Sequence, residues 1–350
     1  MSQHWTARAI QIIEADYNRS ADTHLIKLDF PALEQIDIYL KDESTHPTGS
    51  LKHRLARSLF LYALCNGWLK EARPVIEASS GSTAISEAYF ARLLGLPFIA
   101  VVPEGTAQKK LDQIRLYGGQ CYQVAATDLC HAAAEIAVKL GGHFMDQFTY
   151  AERATDWRGN NNIAQSIFQQ MSAERFPLPR WIVMSAGTGG TSATIGRYLR
   201  YEKHWGNPCE LCVVDPERSV FYDAFNSGDR SLSLSCGSRI EGIGRPKVEP
   251  SFMPEVIDRM IQVEDAQSIA ATRFLSRKLN RLVGGSTGTN LCGVLQLAEE
   301  MQTKGESGSI VTLLCDGGER YQDSYFNDDW LNSKGIAIEG AMEEWVDKFI

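Results

Sequence analysis

Short apolar runs alternate with longer amphipathic stretches through the middle of the chain. The apolar runs lie at residues 74–79, 97–103 and 121–125 in a first series and at 181–184, 209–215 and 309–316 in a second. Most of the stretches between them carry apolar residues at intervals of three and four, which is typical of amphipathic helices. The pattern predicts βα units with parallel sheets, and the nearly continuous apolar runs of the second series predict strands buried on both faces.

The N-terminal region departs from this alternation. Its first residues predict one amphipathic helix, which is followed by strand candidates at 24–30 and 36–43. In the second candidate, Ile36, Ile38 and Leu40 recur at every other position. This period of two predicts a strand that is buried on one face only.

Composition and charge narrow the possible classes of function. The chain has 350 residues, of which 44% are hydrophobic and 22% are charged, as in ordinary globular proteins of about two domains. Acidic residues outnumber basic ones by 43 to 35, which gives a net charge of −8, and no block of Lys or Arg is present. We therefore expect no nucleic-acid partner, because binding a phosphate backbone requires a positive surface.

The sequence also argues against a membrane partner and a metal site. No apolar stretch approaches the roughly 18 residues that a spanning helix needs, and the N-terminus lacks the apolar core of a signal peptide, so we expect a cytoplasmic location. The eight cysteines are scattered, which is typical of a reducing compartment. Only Cys209 and Cys212 have the spacing of metal ligands, and without a second pair we expect a strand there and no metal.

A glycine-rich loop follows the apolar run at 181–184. It reads Ser-Ala-Gly-Thr-Gly-Gly-Thr over residues 185–191 and precedes a helical pattern. Converging N–H groups, the positive end of the helix dipole and threonine hydroxyls would suit a phosphate dianion. Two other interpretations stay open from these residues alone. One is a tight strand-to-helix turn, and the other is a dinucleotide site in which Asp215 contacts a ribose, although Ser192 replaces the third glycine of that motif.

Lys52 lies where a predicted strand runs into a predicted helix. Within residues 41–54, Pro47 predicts a turn and Ser50 predicts the cap of the following helix. The positive end of the helix dipole disfavours a charged lysine in the first turn, and Schiff-base chemistry requires a neutral amine. The alternative is a solvated surface lysine.

Two hydroxyl-rich segments also open predicted helices. Glu-Ala-Ser-Ser-Gly-Ser-Thr at 77–83 can bind a carboxylate, such as that of an amino acid, through N–H groups and hydroxyls at a helix start. Val-Gly-Gly-Ser-Thr-Gly-Thr-Asn at 283–290 can direct a hydroxyl at a ligand. Each segment taken alone is also explained by a simple helix N-cap.

Together these four segments resemble the fold-type II pyridoxal-phosphate (PLP) enzymes, specifically the cysteine synthase and cystathionine β-synthase family, over about residues 20–322. Ser-Leu-Lys-His-Arg at 50–54 resembles the family's Ser-x-Lys-Asp-Arg, and the glycine loop at 185–191 resembles its phosphate cup. Ser-Ser-Gly-Ser-Thr at 79–83 resembles its Thr-Ser-Gly-Asn-Thr substrate loop. Residues 240–244 and 316–321 resemble segments that line or border the family's site.

The resemblance implies a set of site residues. Lys52 would be the catalytic residue and would carry PLP as an internal aldimine. The other implied cofactor-binding residues, with Ser286 at the pyridine nitrogen, are Ser82, Gly187, Thr188, Gly189, Gly190, Thr191 and Ser286. The implied substrate-binding residues are Ser79, Ser80, Gly81, Thr83, Gln147 and Gly242.

The resemblance also implies the architecture, an α/β protein of two open parallel-sheet domains with the cofactor in the cleft between them. A polar segment near 145–160 suggests the boundary. We expect a smaller substrate-closing domain at 45–152, a larger cofactor-binding domain at 1–44 plus 153–330, and a C-terminal tail at 331–350. A homodimer is the family expectation.

Departures from the family's motifs bear on the reaction. Ser82 replaces an asparagine that normally contacts the cofactor's phenolic oxygen, Ala84 replaces a glycine, and His53 replaces the aspartate after the lysine. This variant loop resembles that of cysteine desulfhydrases, which implies β-elimination from L-cysteine, or a related β-substituted alanine, giving sulfide, pyruvate and ammonia.

Three alternatives to β-elimination remain. A β-replacement synthase that makes cysteine or cystathionine is the alternative within the same class. A nicotinamide-binding oxidoreductase is the alternative of another class, and a non-catalytic binding protein of the same fold is the third.

Overall fold

The strands and helices that the alternating pattern predicts are present in the predicted order, with further elements between them. The computed structural model describes residues 3–125, 128–159, 162–203, 206–342, 345, 348 and 349. The helices are α1 (Gln3–Asn18), α2 (Lys52–Cys65), α3 (Ser82–Leu93), α4 (Gln108–Leu116), α5 (Leu129–Leu140), α6 (Gln147–Ala154), α7 (Ile163–Met171), α8 (Gly190–Glu202), α9 (Phe221–Ser227), α10 (Asp265–Leu279), α11 (Gly285–Thr303) and α12 (Asp328–Lys334). The strands are β1 (Leu25–Leu28), β2 (Ile36–Asp42), β3 (Val75–Ala78), β4 (Phe98–Pro103), β5 (Gln120–Val124), β6 (His143–Phe144), β7 (Trp181–Ser185), β8 (Glu210–Pro216), β9 (Arg259–Val263) and β10 (Gly308–Leu314).

The chain divides into two compact units. The smaller unit comprises Met1–Asp22 and His46–Thr155, and the larger unit comprises Thr23–Thr45 and Asp156–Ile350. Helix α1 thus belongs to the smaller unit, whereas the expected division placed residues 1–44 in the larger one. The physical reason is that Ala9 and Ile13 of α1 are buried in the apolar core of the smaller unit.

The smaller unit contains a four-stranded sheet in the order β5-β4-β3-β6, with every neighbouring pair parallel. Its core joins the apolar faces of α1, α2 and α3 to β3 and β4. Strand β3 continues through a short loop into α3, so the hydroxyl-rich segment lies at the carboxyl end of β3. Ligand sites of open parallel sheets commonly lie at this edge.

The larger unit contains a six-stranded sheet in the order β1-β2-β10-β7-β8-β9. Strand β1 is antiparallel to β2, and the other neighbours are parallel. The apolar runs of the second series form β7, β8 and β10, which are buried along almost their whole length. The prediction of strands buried on both faces is confirmed there.

The prediction that the strand at 36–43 is buried on one face only is wrong. Strand β2 lies between β1 and β10 and is buried at every position. Its polar side chains are accommodated by partners, because Lys41 Nζ donates to Thr23 O at 2.8 Å and to Gln170 Oε1 at 2.7 Å. In β2 the period of two therefore arises from polar and charged side chains that have buried partners, and not from a face exposed to solvent.

The strand predicted around the two closely spaced cysteines is present as β8. Cys209 directly precedes this strand and Cys212 lies within it. Burial raises the pKa of the Cys212 thiol to about 12 and raises that of Cys209 as well, which disfavours the thiolate that binds metals. All eight cysteines are unbridged. Within the described residues, no helix is both long and apolar enough to cross a bilayer.

Candidate active site

Lys52 is the first residue of α2 and is half-buried. The prediction that Ser50 caps this helix is wrong. Leu51 occupies the cap position with helical backbone angles, and no side chain caps the helix. The buried hydroxyl of Ser50 has no hydrogen-bond partner among the described residues.

The residue after the lysine, His53, fixes α2 against α3. Thr48 Oγ1 lies 3.2 Å from His53 Nδ1 and 2.9 Å from Ser86 Oγ. The imidazole ring is buried and its centroid lies 4.8 Å from that of Phe90. These contacts determine the direction of the helix that begins with Lys52.

The hydroxyl-rich loop after β3 remains partly accessible. Ser79, Ser80, Gly81 and Ser82 are half-buried, whereas Thr83 is buried. Gly81 occupies the N-cap position of α3 and no side chain caps the helix. The simple N-cap is therefore not the reason for the hydroxyl groups in this segment.

Thr83 and Gln147 are brought together although 64 residues separate them. The Thr83 hydroxyl donates to Gln147 Oε1 at 2.8 Å, and the backbone N–H of Gln147 donates to Glu77 Oε2 at 3.1 Å. Because Oε1 accepts from Thr83, the Gln147 amide nitrogen is directed elsewhere, and it donates to no described residue. The smaller unit thus presents a buried amide donor beside the hydroxyl-rich loop.

In the larger unit, the glycine loop connects β7 to α8. Gly189 has φ +90° and precedes Gly190, the first residue of the 13-residue helix α8. The backbone N–H groups of Gly187, Thr188 and Gly189 donate no hydrogen bond within the part of the chain that the structure describes. Thr191 lies in the first turn of α8 and is half-buried. Unsatisfied N–H groups at a helix start form an anion site.

Residues 240–244 pack against the glycine loop. The N–H of Gly244 donates to Ala186 O at 2.8 Å. A Cβ on Gly187 would lie 2.2 Å from Gly242 O, so the two backbones approach as closely as only glycine permits. Gly242 itself is exposed beside the loop.

Ser286 lies at the same edge of the larger sheet as the glycine loop. Helix α11 is tied to the carboxyl end of β10, since Gly284 N donates to Asp316 O at 3.0 Å and Cys315 N donates to Thr287 Oγ1 at 3.1 Å. Strands β10 and β7 are parallel neighbours, so their carboxyl ends share one edge. Ser286 is buried, and its side-chain hydroxyl forms no hydrogen bond with a described residue.

Asp215 is not placed to contact a ribose. It is completely buried at the end of β8, and its Oδ2 accepts the N–H of Tyr222 at 2.9 Å. Burial raises the pKa of this carboxyl to about 7, although hydrogen bonds from Ser219 and Tyr222 oppose the shift. The feature of the sequence that suggested a dinucleotide site is therefore part of the core.

Known proteins identify the family. The family model of pyridoxal-phosphate dependent enzymes matches residues 19–316. The chain belongs to this family. The family and the cofactor, PLP, that the four motifs predicted are confirmed.

Individual PLP enzymes match along most of the chain. An L-cysteine desulfhydrase of Mycobacterium tuberculosis is 59% identical over 345 residues, which cover 97% of this chain and 93% of that protein. Cysteine synthase 1 of Emericella nidulans is 27% identical over 322 residues, covering 90% of this chain and 84% of that protein.

A solved structure supports the fold class. The crystal structure of a hydrogen sulfide-producing enzyme from Fusobacterium nucleatum aligns with a TM-score of 0.77 and 24% identity, covering 92% of this chain and 96% of that one. The predicted fold class, that of fold-type II PLP enzymes, is confirmed.

The described residues fit a phosphate-bearing cofactor. Three N–H groups directly before α8 have no acceptor among the described residues, which suits a dianion. The Ser185 hydroxyl at the end of β7 is buried without a described partner, so it offers a further donor. The sequence motifs gave this serine no role, although its position as the first residue of the glycine loop was the available signal.

Proposed function

We propose that this protein is an L-cysteine desulfhydrase, which converts L-cysteine and water to sulfide, pyruvate and ammonia. The observation that supports this most strongly is the 59% identity, along 97% of the chain, to an L-cysteine desulfhydrase. The half-buried lysine at the start of α2 and the anion-binding glycine loop supply the parts that a PLP enzyme needs.

Several residues would hold the cofactor. Lys52 would bind it covalently, and Gly187, Thr188, Gly189, Gly190 and Thr191 would hold its phosphate. Ser286 would face its pyridine nitrogen and Ser82 its phenolic oxygen. PLP, when bound, supplies an electron sink for negative charge at the substrate's Cα.

The substrate carboxylate would bind to the loop after β3. The residues assigned to it are Ser79, Ser80, Gly81, Thr83 and Gln147. The arrangement of Thr83 and Gln147 supports this role, because the Thr83 hydroxyl orients the amide and leaves its nitrogen available as a donor. Gly242 of the larger unit is the remaining residue assigned to the substrate.

The amine of Lys52, once released by the incoming amino acid, would remove the proton from Cα. The C–S bond would then break, and sulfur would leave as sulfide with the bonding electron pair. The three-carbon product reacts with water to give pyruvate and ammonia, so no oxidant or reductant is needed. A neutral serine hydroxyl at the pyridine nitrogen would supply no fixed positive charge. Negative charge at Cα would then be stabilised less, which would favour expulsion of the β-substituent.

A β-replacement synthase is the second candidate. It is favoured by the 27% identity over 90% of the chain to cysteine synthase 1 of Emericella nidulans. In both functions the β-substituent of an amino acid leaves first. They differ in that leaving group and in the fate of the three-carbon fragment, which is hydrolysed in one case and captured by a nucleophile in the other.

We also propose that the protein acts in the cytoplasm as a homodimer, on a small amino acid and without a nucleic-acid partner. Eight unbridged cysteines support a reducing compartment. The net charge of −8 supports the absence of nucleic-acid binding. In this proposal the larger unit binds the phosphate of PLP and the smaller unit binds the amino acid.

Product analysis of the holoenzyme distinguishes the two candidate functions. We expect cysteine alone to give sulfide and pyruvate faster than O-acetylserine with sulfide gives cysteine. Faster formation of cysteine, or of cystathionine from cysteine and homocysteine, would contradict the desulfhydrase function and support the synthase function. Sedimentation of the same preparation tests the homodimer.

A further inference from the structure

Two acidic residues meet in the interior of the smaller unit. Glu77 lies on β3 and Glu87 lies one turn and a half into α3, and both are completely inaccessible to solvent. Burial raises the pKa of both carboxyls, and the side-chain hydrogen bond between them raises the pKa of Glu87 further and lowers that of Glu77. The nearby carboxylate of Asp146, at the start of α6, raises the pKa of Glu77 further.

The two carboxyls have different surroundings. Glu77 Oε1 accepts the N–H of Ala78 at 2.7 Å, and its Oε2 accepts the N–H of Gln147 at 3.1 Å. Neither oxygen of Glu87 receives a hydrogen bond from any donor among the described residues. Glu77 is therefore suited to the charged form, and Glu87 to the protonated form that donates to it.

We propose that Glu77 and Glu87 share one proton and act as positioning residues for the substrate carboxylate. The inference rests on the proposed function, in which Thr83 and Gln147 bind that carboxylate. The contacts run from Glu87 to Glu77, then to the backbone N–H of Gln147, and from the Gln147 side chain to Thr83.

Loss of the shared proton changes the position of Gln147. Without that proton two buried carboxylates would lie side by side, and that of Glu87 would have no described donor, so water would enter or Glu77 would shift its partners. Among the described hydrogen-bond partners of Glu77, Gln147 is the one that belongs to the proposed substrate site. Because Lys52 and the glycine loop are untouched, the effect falls on substrate binding and not on the chemical step.

Three variants of the holoenzyme test the proposal. Glu87→Gln keeps an N–H donor for Glu77, Glu87→Leu removes the donor at similar volume, and Ile114→Val is the control for lost stability in the same core. We expect Glu87→Leu to raise the KM for cysteine about tenfold with kcat nearly unchanged. Glu87→Gln should restore the wild-type KM, and Ile114→Val should lower the melting temperature without changing KM.

The pH dependence gives a second readout. As pH rises, the wild-type pair loses its proton and two adjacent anions repel each other, with Asp146 as the neighbouring charge. The Glu87→Gln variant has no such proton. The ratio of the wild-type KM to the KM of this variant should therefore rise with pH, and ionisation of the substrate cancels in the ratio.

Binding of L-alanine, which has no β-leaving group, separates this inference from the proposed function. It is followed by the change in absorbance of bound PLP. If the wild type binds L-alanine and Glu87→Leu binds it equally well, the positioning role is wrong whatever the reaction is. If Glu87→Leu does not fold, Glu77→Gln must show the raised KM, and an unchanged KM overturns the proposal. A wild type that binds no amino acid overturns both the inference and the function.

Discussion

At the scale of single residues, Ser82 is the position that bears most directly on reaction type. It is the first residue of α3 and is half-buried beside the N-cap Gly81. In the proposed site it stands where related enzymes have an asparagine, and its shorter side chain leaves more space beside the three-carbon fragment. In this proposal water or the returning lysine would occupy that space, which would favour hydrolysis over capture.

Restoring the amide with Ser82→Asn should raise the ratio of β-replacement to pyruvate formation. One hydrogen bond of this kind is worth about 1 to 2 kcal/mol, so we expect a change of about five- to thirty-fold. The ratio is measured with cysteine and a competing thiol supplied together. An unchanged ratio in a variant that still binds PLP would show that Ser82 does not determine reaction type.

At the scale of elements, the turn from β7 into α8 requires glycine for two separate reasons. Gly189 has φ +90°, and a Cβ there would lie 2.4 Å from Ser251 O and 2.8 Å from Phe252 Cα. The backbone conformation alone disfavours other residues, and the neighbouring backbone leaves no space for a side chain.

Gly189→Ala should therefore lower the affinity for PLP by at least about tenfold, because the loop must move to relieve the contact. Gly228→Ala is the matched control, since Gly228 has φ +73° in the same unit with nothing within 4 Å of its Cβ position. Equilibrium dialysis of PLP with both variants is the measurement. Equal affinities in the two variants would remove the glycine loop from the cofactor site.

Elements with strong local patterns could be predicted from the sequence, and those that depend on distant partners could not. Strands β3, β4, β7, β8 and β10 were recognisable because burial on both faces demands nearly continuous apolar runs. Strand β6 has two residues, and β9 carries Arg259, whose guanidinium bonds Glu300 at 2.6 Å. Strand β6 is too short to carry a pattern, and in β9 the polar residues Arg259 and Gln262 interrupt the apolar ones.

The candidate site shows the same limit. The glycine loop and Lys52 can be recognised from the local sequence, because each lies in a short motif between a strand and a helix. The hydrogen bond from Gln147 N to Glu77 joins residues that are 70 positions apart, so neither local sequence predicts it. Glu87 looks like an ordinary polar position of an amphipathic helix, because its environment is formed by a strand that precedes that helix.

At the scale of the whole molecule, buried carboxyls make stability depend on pH. Burial raises the pKa of Asp215 to about 7 from the unfolded value of 3.8, so the folded state binds more protons than the unfolded state between these values. The stability that this group contributes is therefore lost as pH rises through that window.

Asp215→Asn should remove this dependence. Relative to wild type, the variant should gain stability between pH 4 and 8, by up to about 4 kcal/mol for a shift of this size. Urea unfolding across that pH range measures the difference, and exposed Asp29→Asn in the same unit is the control. Parallel pH profiles for wild type and Asp215→Asn would show that Asp215 does not titrate differently on folding.

The central claim, that Lys52 and bound PLP eliminate sulfide from cysteine, is tested most directly by the stoichiometry of products. Purified holoenzyme is supplied with cysteine alone, and sulfide, pyruvate and ammonia are measured against the cysteine consumed. We predict equal amounts of all three, their loss in Lys52→Ala, and wild-type amounts in Lys139→Ala, which changes an exposed lysine of the same unit. Sulfide without pyruvate, or turnover that persists in Lys52→Ala, would contradict the account.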